Sequence, residues 1–169
     1  MTTQQQLPTE PELDAILPLE PRARILVVDD ESRIRLTLRG CLEAEGYEVE
    51  EARDGAEAIR VMLDTKPDLV VLDLAMPRLD GMGMLREWRS RFADVALPRV
   101  IVLTAWGSAA VEEEAFLCGA RDFLAKPLSP GALRAVVERV LRQPPTPPAR
   151  DDDSDQDSDD RPFGHLFFG

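Results

Sequence analysis

Leu69-Val70-Val71-Leu72-Asp73 is four unbroken aliphatic residues ending in a carboxylate. A strand with one wet face alternates apolar and polar residues. A continuous aliphatic run belongs to a strand covered on both faces, the habit of parallel sheets flanked by helices. Three further runs repeat the pattern. Ile25-Leu26-Val27-Val28 leads into Asp29-Asp30, Val100-Ile101-Val102-Leu103 into Thr104, and Asp122-Phe123-Leu124-Ala125 into Lys126-Pro127. Open α/β sheets bind ligands outside the carboxyl ends of their strands. Parallel pairing of these runs therefore brings three carboxylates, a hydroxyl and an ammonium to one sheet edge.

Between the runs the period changes. Ile34, Leu38, Cys41 and Leu42 recur at helical spacing, and Gly46 ends that helix. Tyr47-Glu48-Val49-Glu50 alternates as a short strand. Gly55–Leu63 reads as a helix stopped by Pro67, and residues 68–72 as a buried strand. A loop through Met76-Pro77-Arg78-Leu79-Asp80-Gly81 leads into a helix ending near Arg91. Strands follow at 99–103 and 120–125, with a helix at 109–117 between them, closed by Gly119. Ser129 suits an N-cap and Pro130 the first helical position of a helix reaching about Arg142. Five strands alternating with five helices predict an α/β fold, a doubly wound five-stranded parallel sheet.

The charge of the 169 residues is −12, and it is uneven. Residues 1–21 carry four acids and no base; residues 144–169 carry seven Asp and two Arg. These ends also hold nine of the 14 prolines and lack a core pattern. The expected organisation is an acidic N-terminal extension over 1–21, one domain over 22–143, and a Pro/Asp-rich tail over 144–169. An acidic chain without a basic stripe predicts no DNA binding. No apolar stretch approaches the ~20 residues that span a bilayer. The polar start MTTQQQLPTEPELD predicts no signal peptide, so the expected location is cytoplasmic, with Cys41 and Cys118 reduced.

Each strand-end residue has two readings. Asp29 and Asp30 suit a cation that offsets their mutual repulsion, and all-oxygen ligation suits Mg²⁺; Asp is equally at home in a turn or an N-cap. Asp73 is either a solvated strand end or a nucleophile able to form an acyl phosphate. Thr104 can donate to a phosphoryl oxygen or simply end a strand. Lys126 stands out because the chain has 18 Arg and only two Lys. A compact ammonium serves as a point charge for a phosphoryl oxygen, although a lysine can also snorkel at a surface. A cis bond before Pro127 would aim Lys126 toward Asp73. What favours the chemical readings is their conjunction at equivalent strand ends.

ILVVDDE at 25–31, LVVLDLAMPRLDG at 69–81, VIVLTA at 100–105 and DFLAKPL at 122–128 together resemble the receiver domain of bacterial two-component response regulators. The resemblance covers residues 24–142 and neither tail. It implies a flavodoxin-like fold and a phosphoryl group accepted on Asp73 from a histidine kinase or a histidine phosphotransfer protein. It further implies Mg²⁺ on Asp30, Asp73 and the backbone carbonyl of Ala75, with Asp29 acting through metal-bound water. Thr104 and Lys126 would bind phosphoryl oxygens, and Phe123 would be the aromatic switch, or a core aromatic, or both. Ala75 and Trp106 occupy positions that tune phosphoryl lifetime in the family. Neither can activate a water, so a long-lived phosphoryl group is expected; Trp106 is equally readable as a loop aromatic. Receivers of this kind often dimerise through the last helix–strand–helix face.

The residues beyond Arg142 are too few for an output module and show no recognition helix. They run from prolines through Asp151–Asp160 to a Phe-rich end holding three of the six Phe, readable as a docking motif or as an unstructured terminus. The leading expectation is a stand-alone receiver, a phosphoacceptor rather than a turnover enzyme, acting on an unknown protein target. Two alternatives differ in class: a phosphohydrolase with an aspartyl nucleophile, and a transcriptional regulator lacking its output domain. The first usually carries Asp-x-Asp, where this chain has Asp73-Leu74-Ala75.

Overall fold

The computed structural model describes residues 22–105 and 109–145. The tail motifs and Trp106 lie outside them. Five strands, β1 (Arg24–Val28), β2 (Glu48–Ala52), β3 (Leu69–Asp73), β4 (Arg99–Thr104) and β5 (Ala120–Ala125), form one parallel sheet in the order β2-β1-β3-β4-β5. They alternate with α1 (Ser32–Glu43), α2 (Gly55–Thr65), α3 (Gly81–Arg91), α4 (Ala109–Leu117) and α5 (Pro130–Leu141).

The unbroken aliphatic runs serve two cores at once. Ile25, Val27, Leu69, Val71, Ile101 and Leu103 pack with Leu38 and Leu42 of α1 and with Leu133, Val137 and Val140 of α5. The residues between them, Leu26, Val28, Val70, Leu72, Val100 and Val102, face α2, α3 and α4 through Ile59, Met62, Met84, Leu85, Trp88 and Ala115. Every residue of the runs 25–28, 69–72 and 100–103 is fully buried, whereas in the run 122–125 only Leu124 is buried. At ~25 cal/mol per Å² of apolar surface removed from water, this two-sided burial is the main stabilising term.

Short polar side chains start the helices. Asp54 Oδ1 accepts from the Glu57 N–H at 2.9 Å, and Asp80 Oδ1 from the Gly83 N–H at 2.6 Å. Ser129 Oγ accepts from the Ala132 N–H at 3.1 Å, with Pro130 at the head of α5 as expected. Gly46 and Gly119 leave α1 and α4 with φ of 85° and 104°, the left-handed region that favours glycine.

Two local features depart from the sequence reading. β2 runs to Ala52, past the expected Glu50, because its length follows β1: the register extends from Arg24↔Glu48 to Val28↔Ala52. Glu51 is tolerated there by Arg35 and Arg39, one turn apart on α1, at 3.0 and 2.7 Å. Between β4 and β5 the register slips, with Val100 opposite Ala120 and Ile101 opposite Asp122. After that slip Thr104 lies opposite Ala125, and Lys126 begins just beyond the sheet.

Candidate functional site

The register of β1, β3 and β4 brings the strand-end residues into one cluster. Val28 pairs with Leu72 and Asp73 with Leu103, so Asp29, Asp73 and Thr104 end neighbouring strands. Asp30, Asp73, Ala75, Thr104 and Lys126 line a single cleft of about 500 Å³, walled on its apolar side by Met82, Leu103 and Val111. Asp29, next in chain to Asp30, is wholly buried; Asp73 is 4% exposed, while Asp30 is open to water.

Carboxylate oxygens of Asp29, Asp30 and Asp73 lie within 4.8 Å of one another. The Lys126 ammonium reaches two of these groups, donating to Asp29 Oδ2 at 2.8 Å and standing 3.2 Å from Asp73 Oδ1. Three carboxylates against one ammonium leave an excess of negative charge. The all-oxygen donor set, one member of it wet, fits a hard divalent cation that retains waters.

The local backbone holds each group in place. Asp29 Oδ1 accepts from the Glu31 N–H at 2.9 Å, which fixes the carboxylate relative to the start of α1. Arg35 Nη1 donates to the carbonyls of Asp29 and Asp30 at 2.7 and 3.2 Å, bracing the acidic turn from behind. The Lys126 N–H donates to the Thr104 carbonyl at 2.8 Å, and the Lys126–Pro127 bond is cis. The loop after β3 is tied to the head of α2 by the Arg78–Asp54 ion pair and by the Gly55 N–H donating to Leu79 O at 2.9 Å.

Burial pushes the Asp73 carboxyl above the usual carboxylate range; the neighbouring Asp29 charge adds to this, and Lys126 and the Ala75 backbone oppose it. Burial acts to lower the Lys126 ammonium, but the hydrogen bond and charge of Asp29, with Asp73, outweigh it and hold it above its ordinary value. Lys126 therefore stays cationic at neutral pH, while burial leaves the charged form of Asp73 poorly solvated.

Phe123 stands apart from this cleft. It is half-buried on β5, packs against the α2–α4 core, and meets Phe116 of α4 edge-to-face at 4.8 Å between ring centres. Phe116, 51% exposed, was not among the expected functional residues, and neither were Arg35 and Arg78. The signal for Phe116 lies in its position, a large aromatic on a surface helix opposite a strand aromatic; Arg35 and Arg78 are two of 18 arginines and carry no mark in sequence.

Among the described residues no helix is long and apolar enough to cross a membrane.

Residues 25–138 match the family model of the response regulator receiver domain. The response regulator MprA of Mycobacterium sp. (strain KMS) is 44% identical over 120 residues, covering 71% of this chain and 51% of that protein. The transcriptional regulatory protein ResD of Bacillus subtilis is 42% identical over 120 residues, covering 71% and 48%. The chain thus spans about half the length of the curated relatives it matches. The solved structure of the Vibrio cholerae chemotaxis protein CheY4 superposes with a TM-score of 0.63 at 31% identity, over 70% of this chain and 98% of that one. With its five-stranded parallel sheet and its acidic cluster at the carboxyl ends of β1 and β3, this chain belongs to the family of response regulator receiver domains.

Proposed function

We propose that this receiver accepts a phosphoryl group on Asp73 from the phosphohistidine of a kinase or phosphotransfer protein, and thereby switches a protein-binding face. The observation that supports this best is the Lys126 ammonium 3.2 Å from Asp73 Oδ1, at the floor of an open cleft. In the transfer, an Asp73 carboxylate oxygen forms the new O–P bond as the N–P bond of the donor breaks, and the imidazole leaves with the electron pair of that bond. Lys126 offers a fixed positive charge to a phosphoryl oxygen, and Thr104, on the adjacent strand, offers its hydroxyl to another.

Asp30, Asp73 and the carbonyl of Ala75 would hold Mg²⁺, with Asp29 reaching it through water. Bound there, Mg²⁺ supplies charge neutralisation for the transferring phosphoryl oxygens. Asp29 also acts through Lys126, which it positions.

The switched face is the surface around Phe116 and Phe123. A Thr104 hydroxyl drawn to a phosphoryl group vacates space beside β5, and the Phe123 ring fills it, breaking its edge contact with Phe116. A shift of this kind requires the phosphoryl group to favour one arrangement over the other. The same α4–β5–α5 face is the surface for self-association.

Asp73 acts as an acceptor rather than as the nucleophile of a turnover enzyme. Two residues on stands Ala75, exposed at the cleft mouth, where a hydrolase needs a second acid. Ala75 cannot orient an attacking water, so the acyl phosphate persists. The name transcriptional regulatory protein belongs to a longer relative, of which the match covers 48%. The expectation of no DNA binding therefore rests on the charge and composition of this chain alone.

Incubation with acetyl phosphate and Mg²⁺ tests the central claim. Intact mass should rise by one phosphoryl group on the wild type and remain unchanged on Asp73→Asn. Phosphorylation of the Asn variant, or steady turnover of a generic phosphate ester by the wild type, contradicts it.

A further inference from the structure

At the opposite edge of the sheet from the phosphoacceptor cleft lies a second groove, of about 640 Å³. Met62 and Leu63 of α2, Trp88 of α3, and Val95, Leu97 and Pro98 before β4 form its apolar walls. Leu63 and Val95 are 40% and 45% exposed, two of the five large apolar side chains that the described residues leave open to solvent. Trp88 is buried, yet its indole Nε1–H has no acceptor among the described residues. A buried donor without a partner forfeits its hydration for nothing, and native folds rarely keep one.

The chain itself runs into this groove. After α5, the Gln143 carbonyl accepts from Arg99 Nε at 2.7 Å, at the first residue of β4. Two residues later Pro145 lines the groove beside α2 and α3. The backbone thus passes beneath the amino ends of β3 and β4, from the layer of α1 and α5 to that of α2 and α3. The residues that follow are Thr146-Pro147-Pro148. Proline-rich chain favours the extended polyproline form, in which every carbonyl is free to accept, and such strips dock on aromatic-lined grooves.

We propose that Pro144–Pro148 of this same chain fills the groove. The proline rings cover Leu63 and Val95, and a carbonyl of the strip accepts the Trp88 indole N–H. Lys66, on the groove wall and without an ion pair among the described residues, then faces the tail where it turns acidic, with seven Asp between 151 and 160. The tail is anchored at the sheet edge remote from Asp73. This inference does not depend on the phosphoacceptor reading.

The test uses the full-length ¹⁵N-labelled chain and its two indole N–H resonances, assigned with Trp106→Phe. In the wild type the Trp88 indole proton should lie downfield and exchange slowly. Replacing Pro144, Pro145, Pro147 and Pro148 by glycine in the full-length chain should move it upfield and speed its exchange. Changing the Asp residues of 151–160 to Asn should leave it in place. Superimposable Trp88 resonances in the wild type and the glycine variant overturn the proposal. So does a downfield signal that disappears on dilution, which assigns the groove to a second copy's tail. As an independent check, a spin label at Ser154→Cys, in a chain with Cys41→Ser and Cys118→Ser, should broaden the Leu63 and Val95 methyl signals. Unbroadened methyls equally reject the proposal.

Discussion

Gly81, the first residue of α3, lies directly against the backbone of Asp73, so close that a Cβ built on it would collide with the Asp73 carbonyl oxygen. The same Cβ would stand 3.0 Å from Leu74 Cα. Both obstacles are backbone, which cannot rotate away as a side chain can. Gly81→Ala must push α3 off the end of β3 and with it shift the acceptor carboxylate. Overpacking of this kind costs about 1–3 kcal/mol. Urea unfolding should show that loss, and labelling by acetyl phosphate should slow even in the fraction that remains folded.

Lys126 neutralises a carboxylate that has no access to water. Asp29 is fully buried, and the cation that pairs with it is Lys126. Lys126→Met leaves that charge uncompensated. Breaking a buried pair on one side costs ~3–5 kcal/mol, and the 19% exposure of the Lys126 side chain places the expected loss at or below the lower end of that range. The predicted signature is a fall in Tm in chelator, recovered in large part by millimolar Mg²⁺. A variant as stable as the wild type without metal contradicts this account.

Asp73 is a burden on the metal-free fold. Its carboxyl is raised chiefly by burial, so the folded state favours the neutral form, and stability falls as pH rises from the ordinary carboxylate range through the elevated value. Asp73→Asn keeps the shape and removes the charge. In chelator the variant should be the more stable at pH 7, and the difference should vanish below about pH 4, where the acid is neutral in both folded and unfolded chains. Paired thermal melts across pH read this out directly.

Asp54 behaves in the opposite way. The Glu57 N–H it caps and the Arg78 guanidinium together hold its carboxyl below the usual range, against the opposing effect of burial. A depressed value stabilises the fold above about pH 4, and the contribution is lost as pH falls through the folded-state value. Asp54→Ala should cost about 1–2 kcal/mol at pH 7, the ordinary worth of an N-cap. It should also loosen the loop after β3, so that acetyl phosphate labelling of Asp73 becomes slower. At low pH the stability gap should close.

Much of the site was legible because strands covered on both faces are conspicuous. A run such as Val100–Leu103 has few other uses, so whatever follows it marks a sheet edge. Helix limits marked by capping residues were equally readable, Ser129-Pro130 among them. What escaped depends on pairings between distant segments. Glu51 looks like one more surface acid until Arg35 and Arg39 close on it from α1. Arg78 in a loop has no visible reason to meet Asp54, 24 residues earlier. The slipped register at Arg121 follows from fitting β5 to β4 and leaves no local trace. The unpartnered indole of Trp88 is a property of packing alone.

The doubly buried strands pose a question of alignment. Where one face is wet, sliding a strand by one residue exposes its apolar side chains, and the penalty sets the pairing. β1, β3 and β4 have no wet face; a slip would exchange one greasy neighbour for another. Their polar ends do the aligning. At the amino end, Asp68 accepts from the Arg24 N–H at 2.9 Å and its carbonyl from the Arg99 N–H at 3.3 Å. At the carboxyl end, Asp29 and Asp73 share one ammonium. The carboxylates assigned to signalling therefore also act as the ruler against which three featureless strands are measured, and neutralising them in concert would blur the alignment of the sheet as well as silence its chemistry.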